Sequence, residues 1–218
     1  MNVYLIRHGD DDERYRGGWS QLPLIDVGIG KCKKLANYLA EHSEEFKIDR
    51  IISSDLKRTQ MTSEILNEKL NVEIKFDSRL RENNNGELAG MLNEEAVKKY
   101  PNVHFSGLGY DEPFPGGESP RQFFERVNRD FKDIIEENKD VKNLMLVTHG
   151  GVISILRHII NNVKWDHTTK GMKISKTSIT KLVIDENNNM HFEYENITPH
   201  LENWHNMWYN TYVIWRSK

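Results

Sequence analysis

The chain has 218 residues, enough for one sizeable core, with 29% charged and 37% hydrophobic side chains and a net charge of −3. That balance excludes the basic footprint of a nucleic-acid-binding domain, and no apolar run approaches the ~20 residues of a membrane span. Cys32 is the only cysteine, so no intrachain disulfide can form and a reducing, cytoplasmic setting is expected.

Val3 to Ile6 reads as a short buried strand that runs straight into Arg7-His8-Gly9 and then Asp10, Asp11 and Asp12. The charged pair cuts the opening apolar run short, so no secretory signal is expected. Residues 27–42 read as a helix with Leu35, Ala36 and Leu39 at helical spacing. Its Cys32 lacks the downstream arginine that a cysteine-based phosphatase loop would want. Residues 49–54 form the next strand, and Asp55 is placed to cap a helix through Leu70. Residues 72–76 alternate as a strand does, whereas 80–92 and 101–118 are rich in Asn, Gly and Pro and read as loops.

The clearest helix follows. Ser119 caps it, Pro120 takes the first turn, Gln122 completes a capping box, and Phe123, Phe124, Val127, Phe131, Ile134 and Ile135 share one face. Residues 143–148 (NLMLVT) are continuously apolar, as a strand buried on both faces should be. They stop at His149-Gly150-Gly151 and lead into a helix. Two last strands, 179–185 and 190–197, flank the turn-rich ENNN as a hairpin. Strands alternating with helices predict an α/β fold with a mostly parallel sheet, and no repeat or linker divides the chain.

In open α/β sheets ligands bind beyond the carboxyl ends of the strands. His8 and His149 both end predicted central strands, so neighbouring strands would bring the imidazoles to one crevice. Gly150 and Gly151 would open a helix whose free N–H groups favour an anion. Arg7 adds a donor fork matched to phosphate, and a neutral imidazole can accept a phosphoryl group covalently. Arg58 lies in the first turn of the helix after the second strand, again at the carboxyl edge. Two arginines and a helix start could stabilise a transferring phosphoryl group without metal. Glu82, after the third strand, could protonate the leaving oxygen, with Glu87 as the competing choice. These residues do not decide which histidine is the nucleophile. GIG at 28–30 lacks the third glycine of a dinucleotide fingerprint, and His149-Gly-Gly has no G-x-S-x-G to serve as a hydrolase oxyanion loop.

RHG at 7–9, SSDLKRT at 53–59, LRENNNGELAG at 80–90, GGES at 116–119 and THGG at 148–151, in that order, resemble the histidine phosphatase superfamily, the phosphoglycerate mutase-like proteins. ENITPHL at 195–201 resembles the family's closing strand. The resemblance implies a three-layer α/β/α fold and a single domain over 1–218, with an aromatic tail at 202–218. It also implies a metal-independent phosphomonoesterase without cofactor, acting on a small phosphorylated metabolite. His8 would be the nucleophile, Arg7, Arg58 and His149 would hold the phosphoryl group, and Glu82 would be acid and then base.

The chain departs from the pattern after RHG. DDDERYRGGW replaces the usual Glu and Thr or Ser, is a few residues shorter, and lacks the usual asparagine. Arg14 and Arg16 are the candidates to replace that substrate contact. RENNNG stands where authentic cofactor-dependent mutases carry Glu-Arg-x-Tyr-Gly, which favours a phosphatase over a mutase. A phospho-ligand-binding module that keeps the pocket with little catalysis is the reading from another class. Asp10, Asp11 and Asp12 are taken as a solvated charge run, with a metal site built with His8 and His149 as the sharper alternative. The tail holds three of the five tryptophans. It is expected to pack on the core, with a homodimer contact or a lid as the alternatives.

Overall fold

The structure, a computed structural model, describes residues 1–169 and 172–201. Four parallel strands and a terminal antiparallel hairpin form one sheet of order β3-β2-β4-β1-β5-β6. The strands are β1 (Asn2–Arg7), β2 (Arg50–Ser53), β3 (Glu73–Phe76), β4 (Asn143–Thr148), β5 (Ile179–Ile184) and β6 (Met190–Ile197). The helices are α1 (Asp26–Glu41), α2 (Lys57–Leu70), α3 (Asn93–Lys99), α4 (Pro120–Glu137) and α5 (Gly150–Ile160).

The unbroken apolar runs of β1 and β4 are explained by burial on both faces. Val3, Leu5, Leu144 and Leu146 pack against Phe123, Val127 and Phe131 of α4 and Val152, Ile155 and Leu156 of α5. Their neighbours Tyr4, Ile6, Met145 and Val147 face the other way, onto Leu35 and Leu39 of α1 and Leu66 of α2. The result is the three-layer α/β/α architecture expected. Each such side chain removed from water contributes roughly 1.5–3 kcal/mol, so the strands carrying the two histidines are the best-anchored part of the sheet.

Helix starts separate local from tertiary control. At α4 the capping box forms as its pattern predicts: Gln122 N donates to Ser119 Oγ at 3.2 Å and Ser119 N to Gln122 Oε1 at 2.8 Å. At α2 the expected Asp55 cap does not form. Leu56 occupies the cap position with no side-chain bond, and the Asp55 carboxylate takes a two-pronged pair from Arg81, with Nε to Oδ1 at 2.6 Å. A charged fork-to-carboxylate pair outcompetes a neutral cap bond. The short α3 falls between the two loop-like stretches and is not among the expected elements, although its acidic first turn, Glu94 and Glu95, and basic last turn, Lys98 and Lys99, complement a helix dipole. The expectations for the tail at 202–218, whether packing, lid or homodimer contact, lie outside the described residues.

Candidate active site

Sheet register builds the centre of the site. β1 and β4 pair in parallel with Arg7 opposite Thr148, so the next residues, His8 and His149, leave the sheet side by side. His8 N donates to Thr148 O at 3.0 Å, and the ring centroids stand 5.1 Å apart. Both imidazoles are almost wholly buried.

The two rings differ in wiring. His8 Nδ1 lies 2.7 Å from Gly9 O. A carbonyl only accepts, so Nδ1 carries the proton and Nε2 keeps its lone pair. Arg58 Nε donates to that Nε2 at 3.3 Å. His149 Nε2 meets Ser54 Oγ at 2.9 Å, and its Nδ1, buried, has no partner among the described residues. Ser54 reaches it because β2 pairs with β4 and ends one residue earlier, at Ser53 opposite Val147. Burial pushes both histidines well below the ordinary imidazole range. For His8 the next causes are Lys176, His149, Arg58 and Arg7, and for His149 they are Arg58, Arg7, Lys176 and Arg126. Both rings are therefore neutral near neutral pH.

Cations surround them. Arg58, in the first turn of α2, is buried and anchored by Nη1 to Ser20 O at 3.1 Å and Nη2 to Gly18 O at 2.7 Å. Gly18 must be glycine: its φ is +58°, and a Cβ there would lie 1.9 Å from Asn85 Oδ1. Arg7 donates through Nη1 to Ile174 O, and its buried Nε has no partner among the described residues. Burial lowers the pKa of both guanidiniums, and Glu82 and Asp11 oppose this. Even so they remain charged, as arginines do. Gly150 begins α5 against Arg7, where an added Cβ would come within 3.3 Å of Nε.

Glu82 lies opposite, on the loop after β3. Its Oε2 accepts from Gly151 N and its Oε1 from Asn83 N, each at 3.0 Å. Gly151 has no room for a side chain, since a Cβ would stand 2.2 Å from Glu82 Oε1. The Glu82 carbonyl is held by Trp19 Nε1 at 2.7 Å and by Arg126 Nη2 at 3.0 Å. Arg126, on α4, also grips the carbonyls of Arg79 and Arg81 and both oxygens of Glu118, and Glu118 Oε1 accepts from Asn84 N at 2.7 Å. Glu82 opens onto a cavity of about 300 Å³ whose other walls include Arg16, Asn83, Asn85, Phe105, Phe114 and Phe123.

The structure thus brings Arg7, His8, Arg58, Glu82, His149 and Gly150 together and places the two further arginines apart. Arg16 lines the Glu82 cavity. Arg14 lies in a different depression and folds back on Asp12, with its side chain largely exposed. Glu87 is also turned away, bonded to the Tyr100 hydroxyl and half exposed. The aspartates are not a solvated run. Asp10 pairs with Lys31 and Asp12 with Arg14, but Asp11 is buried between Lys176 and Arg58. The alternative metal site is therefore not assembled, because each carboxylate is committed to a cation. Among the described residues, no group of three or more His, Cys, Asp or Glu side chains is arranged to hold a metal ion.

Lys176, Ser54, Arg126 and Glu118 also build the site, although the sequence did not single them out. Ser54 and Glu118 lie inside quoted motifs, so their signal was present. Lys176 and Arg126 carry none, because each reaches the site only through the fold.

A family model described as histidine phosphatase superfamily (branch 1) matches residues 3–197. The chain is 34% identical over 161 residues to phosphoglycerate mutase-like protein 4 of Arabidopsis thaliana, covering 71% of this chain and 68% of that one. It is 31% identical over 189 residues to a broad-specificity phosphatase of Saccharomyces cerevisiae, covering 83% and 78%. The alpha-ribazole phosphatase of Shigella flexneri superposes with a TM-score of 0.78 at 21% identity over 91% of this chain and 97% of that one, a likeness of fold.

Proposed function

The chain belongs to the histidine phosphatase superfamily, branch 1, and on that premise we propose that it is a metal-independent phosphomonoesterase that acts on a small phosphorylated metabolite through a phosphohistidine. The observation that carries this reading is the pairing of two neutral imidazoles at adjacent strand ends, with His8 Nε2 unprotonated and Arg58 and Arg7 beside it.

A phosphoryl oxygen draws the Arg58 N–H away from His8 Nε2 and so frees the lone pair. Nε2 attacks phosphorus, the bond to the leaving oxygen breaks, and the Glu82 carboxyl protonates that oxygen. The positive charge on the imidazole is met by the Nδ1–H bond to Gly9 O. Glu82, now a carboxylate, takes a proton from water as it attacks phosphorus. The N–P bond breaks, and orthophosphate and neutral His8 are restored. Arg7, Arg58 and the start of α5 at Gly150 stabilise the charge on the transferring group, with His149 packed beside it. The leaving group lies in the cavity by Glu82. There Arg16, Asn83 and Asn85 offer polar contacts and the phenyl rings an apolar wall, which suits a small metabolite with a partly apolar body.

A cytoplasmic setting belongs to the same proposal and is supported by cysteine usage, since the single cysteine, Cys32, is a buried free thiol. Among the described residues no helix is long and apolar enough to cross a membrane.

The test is turnover of an aryl phosphate in excess chelator by the wild type and His8→Ala. Turnover that survives chelation and disappears in the variant is expected. Loss to chelator would defeat the metal-free route. Interconversion of phosphoglycerates exceeding hydrolysis would favour a mutase, and phosphate binding without turnover a binding module.

A further inference from the structure

Asp11 poses an electrostatic problem that the proposed function does not answer. It is a buried carboxylate with Oδ2 3.6 Å from Arg58 Nε, and Arg58 in turn donates to His8 Nε2. A site built for a phosphate dianion should not hold a bare anion there, since like charge at such range opposes binding. Lys176 answers it. Its ammonium contacts Asp11 Oδ1, and both side chains are about nine-tenths covered. The lysine cannot swing far, because its segment is stitched to the site. Thr177 N donates to Arg7 O at 3.0 Å, Ser175 N to Asn196 Oδ1 at 2.6 Å, and Arg7 Nη1 to Ile174 O.

We propose that Lys176 is a positioning residue of the phosphoryl pocket: it neutralises Asp11, so that Asp11 can orient Arg58 on His8 without turning the pocket against an incoming phosphate. The chain His8–Arg58–Asp11–Lys176 runs by contact from the attacking nitrogen to a residue 165 positions from Asp11. Charge counting gives the consequence. Arg7, Arg58 and Lys176 against Asp11 leave a surplus of two positive charges before Glu82 is counted. Without Lys176 the surplus is halved, and the carboxylate nearest Arg58 competes with substrate for its guanidinium. Removing Asp11 as well restores the surplus. The effect on substrate is therefore tied to the charge of the couple and not to the presence of the lysine.

This inference rests on the phosphomonoesterase reading, and the experiment separates the two. Binding of inorganic phosphate by calorimetry and steady-state turnover of an aryl phosphate are measured on the full chain for wild type, Lys176→Met, Lys176→Arg and Asp11→Asn/Lys176→Met. Lys176→Met is expected to weaken phosphate and raise KM by about tenfold or more, with a smaller change in kcat. Lys176→Arg should stay close to wild type, and the double variant should recover most of the lost affinity. Wild-type binding in Lys176→Met, or a double variant as weak as the single, overturns the proposal while leaving the phosphatase reading intact. A wild type that neither binds phosphate nor turns over the ester overturns both. Should Lys176→Met fail to fold, the double variant, which leaves no carboxylate buried without its lysine, carries the test alone: affinity within about threefold of wild type supports neutralisation, and a loss of about tenfold or more defeats it.

Discussion

The floor and the wall of this site are built differently. On the floor, His8, His149, Arg7 and Arg58 project from strand ends and a first helical turn, and their relative positions follow from β1–β4 and β2–β4 register. The wall is made mainly of loop residues, backed by Phe123 of α4. Phe105 and Phe114, both from the 101–118 loop, lie with centroids 6.5 Å apart, and Phe105 packs edge-on against Phe123 of α4 at 6.1 Å. A register cannot shift by one residue without turning the core outward, so the floor is fixed with the fold. The wall can change by exchanging rings. On the proposed mechanism, reaction chemistry and choice of leaving group therefore fall to separately variable parts.

The comparison is broken most severely at the floor, and the two histidines should break it unequally. His8→Ala is expected to reduce turnover by at least about 10³-fold and abolish the acid-labile phosphoenzyme. His149→Ala keeps the proposed nucleophile, His8, and its Gly9 bond. It should still form phosphoenzyme, at a reduced rate, when labelling is quenched in alkaline detergent, which preserves the N–P bond. Equal labelling loss in both variants would show that the rings are not differentiated as their hydrogen bonds indicate.

Glu82 joins floor to wall, since its loop position is fixed by Gly151 and Arg126. Glu82→Gln is expected to slow esters of basic alcohols by about 10²–10⁴-fold and esters of acidic phenols much less, because a good leaving group needs little protonation. A uniform loss across leaving groups would place the proton elsewhere. Beneath it, Arg126 and Glu118 form a mostly buried pair, with 15% and 12% of their side chains exposed. Arg126→Met leaves Glu118 without its partner and frees three loop carbonyls. Chemical denaturation should show a loss of about 3 kcal/mol, with kcat for poor leaving groups falling more than phosphate binding.

The same contrast explains what could be read without coordinates. β1, β4 and α4 were legible because their signals are local: an unbroken apolar run, and a capping box followed by one apolar face. His8, His149, Arg58 and Glu82 were legible because each ends or follows such an element. Asp11 was misread as solvated because its neutralising lysine is 165 positions away. Asp55 was misread as a cap because Arg81, equally invisible to local pattern, claims its carboxylate. Arg126 sits on the helix read most clearly, yet periodicity says only which face is apolar. It does not say that one arginine on the other face will hold the loop of Glu82.

The floor should also be the acid-sensitive part. His200 donates to or accepts from Thr177 Oγ1 at 2.9 Å, and Thr177 N holds the Arg7 carbonyl. Burial, with Lys34 and Lys31, lowers His200 to about 4. A depressed folded-state pKa means that the unfolded chain takes up the proton first. The stability this group contributes is present above about pH 6.5 and is lost as pH falls toward 4. His8 and His149 act in the same direction. Urea unfolding at pH 7 and pH 5 should show a marked loss in the wild type. His200→Gln should remove one proton from the linkage, about 2 kcal/mol over that interval. Identical pH slopes in the two proteins would mean that His200 titrates normally.

The smallest expected effect tests the wall. Phe105 contacts Phe114, Phe123 and Trp165, the last at 6.2 Å between centroids, and lines the cavity beside Glu82. Phe105→Ala removes one apolar face from the leaving group and touches none of the phosphoryl contacts. KM for an aryl phosphate should rise about tenfold, the value of one lost apolar contact of roughly 1–3 kcal/mol, whereas inhibition by inorganic phosphate, which has no leaving group, should not change. Phe105→Leu should recover part of the loss. If phosphate inhibition weakens in parallel with KM, the wall supports the floor mechanically, and the separation between chemistry and selection fails at this residue.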